Sequence, residues 1–254
     1  FLTLVAFSVF AFLLLRWFER RALAPRRLET RFSKTLYALL TMLRIALTAP
    51  AVVAAAVLIL DAFGLMPERF MNIGFGLAVA IGMAAFGRGV AVGLFAVDDP
   101  DRRLISIRDE VAQLVASHLV WAARVLGAIV FLNIVQQAIV APVSLTVATS
   151  AIFAILIAAI LCHFLFRVGR SEVPDDEISG VGWLRAGGWL LVIGIVAALL
   201  TGFIGLAAFL AGRFLVALGA IGALYVFLAF IDALFTDVLS ASTPRGKAIA
   251  NFFG

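Results

Sequence analysis

The chain has 254 residues, of which 64% are hydrophobic and 14% charged, with a mean hydropathy of +1.15 and a net charge of +5. A soluble domain carries about 25% charged residues, so this composition excludes one and points to a polytopic membrane protein. The single Cys162 excludes a disulfide framework.

A membrane span needs roughly 20 consecutive apolar residues. Seven stretches are candidates, at 1–18, 37–60, 71–97, 115–139, 143–166, 183–204 and 206–231. Lipid gives the backbone no hydrogen-bond partner, so a span is a helix or part of a closed barrel. Barrel strands alternate apolar and polar residues, whereas runs such as "AIFAILIAAIL" are apolar on every side. The 13 Leu, Ile, Val and Phe between Val143 and Phe166 favour insertion by about 4–8 kcal/mol. The expected fold is therefore all-α, a polytopic bundle of about seven transmembrane helices arranged largely as hairpins. The organisation reads as 1–35, a first span and basic linker; 36–110, the hairpin of spans two and three; 111–182, the hairpin of spans four and five with an acidic loop; and 183–254, the hairpin of spans six and seven with a connector.

Basic residues alternate with the spans. Arg20, Arg21, Arg26, Arg27, Arg31 and Lys34 follow span one. Arg102, Arg103 and Arg108 follow span three, Arg167 and Arg170 follow span five, and Arg245 and Lys247 follow span seven. Of the 20 Lys and Arg, all but Arg69, Arg88 and Arg213 fall on one side. The positive-inside rule makes that side cytoplasmic. The expected location is a bacterial inner membrane, with the start of the sequence periplasmic and its end cytoplasmic. No basic residue precedes the first span, so no secretory signal peptide is expected. Phe1 is not an initiator Met and "PRGKAIANFFG" is an interrupted apolar stretch, so the sequence reads as a piece of something longer.

Span three is rich in small residues. Ala78 and Gly82 are four apart, as are Ala85, Gly89 and Gly93, and such faces let helix backbones approach closely in lipid. Ala208 and Gly212 offer a second pair in the last span. Gly82, Gly89, Gly93 and Gly212 are thus the candidate packing residues. Arg44, Arg124 and Arg185 recur near the cytoplasmic ends of the even spans and are candidate anchors for lipid phosphate. Trp17, Trp121 and Trp183 stand near the same boundary, where amphipathic rings belong. Arg88, between Gly87 and Gly89 near mid-depth, is the candidate intramembrane functional charge. Arg213 lies closer to the outer surface and is expected to snorkel. Asn133, Gln136 and Gln137 end span four as caps or interfacial hydrogen-bonding groups. Ile107, Val111, Leu114, Val115 and Leu119 recur at helical spacing and predict an interfacial helix leading into span four.

Catalytic equipment is sparse. His118 and His163 show no metal-ligand spacing with another His or an acid, and no phosphate loop, nucleophile elbow or zinc motif is present. The four acids of "SEVPDDEISG" read as a solvated loop. No catalytic, cofactor or metal residue is assigned, and an enzyme is not expected. The pI of 10.3 belongs to loops at the membrane surface, so the expected partners are anionic lipid headgroups and not nucleic acid.

The segment "GLFAVDDPDRRLISIRDEVAQLVASHLVWAARVLG" resembles the membrane region of large, multi-span MscS-type mechanosensitive channels of proteobacteria. In those proteins a span ends in a short "P-x-x-R-L" linker followed by an amphipathic helix start. Pro100, Arg103, Leu104, Asp109 and Ala112 hold comparable places here. The resemblance covers roughly residues 35–235. It implies a ring-shaped homo-oligomer, typically heptameric, that conducts ions and is gated by membrane tension. The family's Gly/Ala-rich pore helix leads into a cytoplasmic β-domain, whereas span three leads into "DDPDRRL" and four more spans. These residues are then peripheral sensor helices, and the pore lies beyond Gly254. Two other readings compete. A secondary transporter requires broken helices at mid-membrane, for which Gly87-Arg88-Gly89 is the one candidate. A non-conducting membrane scaffold subunit is the other.

Overall fold

The structure is a computed structural model that describes residues 31–97, 99, 103–105, 108–170 and 181–238. The expected first span, most of its basic linker, the acidic loop 171–180 and the connector from 239 onward lie outside these residues. So do Pro100, Arg102 and Ile107.

The described residues form six α-helices and no strand: α1 Arg31–Ala62, α2 Glu68–Phe95, α3 Asp109–Ala138, α4 Val143–Arg170, α5 Val181–Leu200 and α6 Ile204–Ala233. A π-helical turn, Leu234–Val238, ends α6. Five of the six are long and apolar enough to cross a membrane. The sixth, α5, is the shortest, with 20 residues. At 1.5 Å per residue the 32 residues of α1 extend about 48 Å, so α1 must tilt or project beyond a hydrocarbon core of about 30 Å.

Short turns join α1 to α2, α3 to α4 and α5 to α6. Pro67 caps α2, where a missing N–H costs nothing. Gly202, at φ +82, makes the last turn. Val140 adopts φ +50 in the middle turn, a strained conformation for a β-branched residue.

Small residues set the main packing. In α2, Gly74, Gly82, Gly89 and Gly93 lie against Val57, Pro50, Met42 and Ala38 of α1, an antiparallel register held along the whole hairpin. Gly76 and Gly87 lie against Ile134 and Ala123 of α3, and Gly127 of α3 against the Ala80 carbonyl. α2 is therefore sandwiched, and its contact with α3 is as extensive as that with its hairpin partner. The units are not three separate hairpins.

α6 crosses behind, touching each of the other five helices. Two buried clusters result. One joins α3, α4, α5 and α6 around Ile157, Ile195 and Ala211. The other joins α1, α2, α3 and α6 around Met42, Val90, Ala112 and Val226. Outward, large apolar side chains such as Leu47, Val52, Phe209 and Phe227 are exposed, the surface a lipid solvent requires.

Three sequence expectations change. The amphipathic run 107–119 is not a separate interfacial helix; from Asp109 it forms the opening turns of α3, because Ala112 and Ala116 bury there against α2. Gly87-Arg88-Gly89 does not break α2, which is helical throughout. The Ala208/Gly212 pair is not the tight seam of α6. Ala207 and Ala211, one position earlier, are fully buried, while a Cβ on Gly212 would sit 3.9 Å from Phe153.

Candidate functional site

Among the described residues, a group of polar side chains gathers toward the basic ends of α3 and α4. His118 Nε2 and His163 Nδ1 are 2.8 Å apart, and the rings stack with centroids at 5.1 Å. His118 Nδ1 lies 2.8 Å from the Leu114 carbonyl. A carbonyl only accepts, so Nδ1 of His118 carries a proton. In the neutral pair Nε2 of His118 is then the acceptor and His163 donates from Nδ1. Phe164 packs at a tilt against His118.

Two cavities meet at this pair. A vestibule of about 510 Å³ is lined by Glu110, Gln113, Ser117 and His118 of α3 and by His163 and Arg167 of α4. A second chamber, about 350 Å³, lies where the two buried clusters adjoin and is walled by apolar side chains of α2, α3, α4 and α6, among them Leu94, Leu119, Ile160 and Leu218. His118 lines both. The helical spacing explains the arrangement. Glu110, Leu114 and His118 recur every four residues on α3, as His163 and Arg167 do on α4, so each set shares one face.

Next to this site Arg103 ties two helices together. Its Nε donates to the Phe95 carbonyl at the end of α2 (2.9 Å), and its Nη2 reaches Asp109 in the first turn of α3 (2.7 Å). The guanidinium meets the exposed carbonyls of one helix end and an acid at another helix start, both favourable for the helix dipoles. Leu104 donates its backbone N–H to Leu94, and Ala112 is fully buried. Across the bundle, Asp237 accepts the Phe32 N–H at the start of α1 (2.8 Å), and Arg31 pairs with Asp232 (3.2 Å). The π-turn, with its five-residue hydrogen-bond spacing, brings Asp237 round to the side of Asp232.

The candidate basic residues are dispersed. Arg44 is exposed on α1, and Arg88 is exposed on α2 between the buried Gly87 and Gly89. Arg88 therefore points away from both α1 and α3, and it has no ion pair or hydrogen bond among the described residues. Arg124 lies 5.0 Å from the centre of the Trp121 ring and so leans toward the basic boundary. Arg213 leans the other way, over Phe209 at 5.2 Å. The guanidinium of Arg185 lies against Gly169 at the end of α4. Gln136 is buried and donates to Thr149 of α4 (2.6 Å), while its Oε1 and the Asn133 Oδ1 have no partner. Cys162 packs beside the first buried cluster.

Comparison with protein-family models, with curated proteins and with solved structures found no match. The His pair was missed because its members are 45 positions apart and share no motif. A signal existed: both lie equally far from the turn joining Ala138 to Val143, so an antiparallel hairpin brings them to one level.

Proposed function

We propose that the chain forms the lipid-facing, tension-responsive helices of an MscS-type mechanosensitive ion channel in a bacterial inner membrane. The basic connections are cytoplasmic and the start of the sequence periplasmic. By the resemblance of the 93–127 segment, the pore and a cytoplasmic domain follow Gly254, and identical chains form a ring, typically of seven.

The observation that carries this reading is the glycine-lined sandwich of α1, α2 and α3. Glycine faces let these three helices pack closely, and on this reading the sandwich tilts as a unit in the bilayer. At the same time α1 and α6 present large apolar side chains outward. When tension thins the bilayer, helices longer than its core lower their mismatch by tilting. On this reading Arg44, Arg124 and Arg185 hold lipid phosphates at the cytoplasmic boundary. The continuity of α2 removes the one candidate break that would have favoured a secondary transporter.

The test is patch-clamp recording of the full-length gene product in a bacterial strain lacking other channels of this kind. Suction should open a conductance at a reproducible threshold. Absence of any pressure-activated conductance refutes the proposal.

A further inference from the structure

The vestibule carries opposite charges that do not neutralise each other. Glu110, in the first turn of α3, and Arg167, in the last turn of α4, line the same space. Among the described residues neither makes an ion pair. His163 stands one turn before Arg167 on the same face, with its Nδ1 engaged by His118 and its Nε2 without a partner. Ser117 and Gln113 add neutral polar groups. Beyond His118 lies the apolar chamber.

A cationic pole, an anionic pole and an apolar chamber together fit one class of ligand. We propose that this is a binding site for a membrane phospholipid with a zwitterionic, primary-amine headgroup. One acyl chain fills the chamber, the phosphate meets Arg167, and the ammonium meets Glu110. The guanidinium matches phosphate oxygens in a two-pronged contact. Glu110 disfavours a purely anionic headgroup, and a trimethylated ammonium has no N–H to donate to it. Those two exclusions select ethanolamine over glycerol and choline headgroups. The chain gains dispersion contacts with walls that otherwise lack partner atoms on one side. The proposal rests on the membrane location alone and is indifferent to conduction.

The experiment is native mass spectrometry of the full-length protein released from micelles. The micelles contain equal amounts of phosphatidylethanolamine, phosphatidylglycerol and phosphatidylcholine with the same acyl chains. Preferential retention of phosphatidylethanolamine is expected. Arg167→Gln should lower retention of all three by about tenfold, the loss of one charge-assisted contact. Glu110→Gln should bring phosphatidylglycerol up to parity. Ile160→Trp, which fills the chamber, should expel the lipid. Should that variant fail to fold, the two exposed polar positions still decide the matter. Equal retention of the three lipids by the unaltered protein, or a preference unchanged in both polar variants, overturns the proposal. Lost lipid preference with pressure-activated conductance intact sinks this site alone, and the converse sinks the tension reading alone.

Discussion

His118 accepts a hydrogen bond from His163 across the α3–α4 seam, Nε2 to Nδ1 at 2.8 Å, while its own Nδ1 is spent on the Leu114 carbonyl. The pair is thus a directed chain from α4 to the backbone of α3, and each ring depends on the other for its partner.

That dependence predicts non-additivity. His118→Phe keeps the ring stack but removes the acceptor of the exposed His163 N–H, costing about 0.5–1.5 kcal/mol. His163→Phe removes the donor and leaves Nε2 of His118 unpaired. The double variant removes both polar groups and should cost less than the two singles together. Thermal unfolding in detergent measures the cycle, and additive singles would show that the rings do not act as a unit.

Gly89 and Gly212 both looked like packing glycines, yet their surroundings differ. A Cβ on Gly89 would lie 2.7 Å from the Met42 carbonyl, whereas one on Gly212 meets only Phe153 at 3.9 Å. Gly89→Val should therefore force α1 off α2 and cost about 1–3 kcal/mol. Gly212→Ala should stay within about 0.5 kcal/mol of the parent. Detergent melting curves compare the two, and a larger loss at Gly212 would contradict the packing.

Arg103 is nearly buried while its partner Asp109 is mostly exposed, at 7% and 74% side-chain exposure. The two ends of this contact should therefore respond unequally. Arg103→Ala strands the Phe95 carbonyl and should cost about 1.5–3 kcal/mol. Asp109→Asn removes a largely solvated partner and should cost under about 1 kcal/mol. Urea unfolding in mixed micelles distinguishes them, and equal losses would refute the asymmetry.

Arg88 stands exposed on α2 between two buried glycines, Gly87 facing α3 and Gly89 facing α1. Arg88→Leu should leave gating tension unchanged and ease insertion of α2 by up to about 3 kcal/mol. Glycosylation-mapped insertion and patch-clamp thresholds read the two effects. A shifted threshold would give this charge a part in gating.

Six of the seven expected helices were legible in the sequence, five of them long and apolar enough to cross a membrane, while the first stretch lies outside the described residues. The limits of α1 to α6 fall within a few residues of the apolar stretches at 37–60 through 206–231. α2's contact faces were legible too, because Gly89 and Gly93 stand out against larger neighbours. Elsewhere the azimuth was hidden. In α6 the choice between Ala207/Ala211 and Ala208/Gly212 turned on one position. In α3 the run from Asp109 to Leu119 looked amphipathic for a membrane surface, but packed its alanines against α2.

Sequence alone determined that this protein is a set of apolar helices and which of their connections are basic, because insertion depends on the summed transfer free energy of one segment. Only the tertiary structure decided which faces meet. A helix that is apolar all round has no hydrophobic stripe to direct it, so packing is settled by the shapes of two helices together. That is why Arg103, written in a linker, ties α2 to α3, why Arg88, written among glycines, is left exposed, and why two distant histidines are hydrogen-bonded.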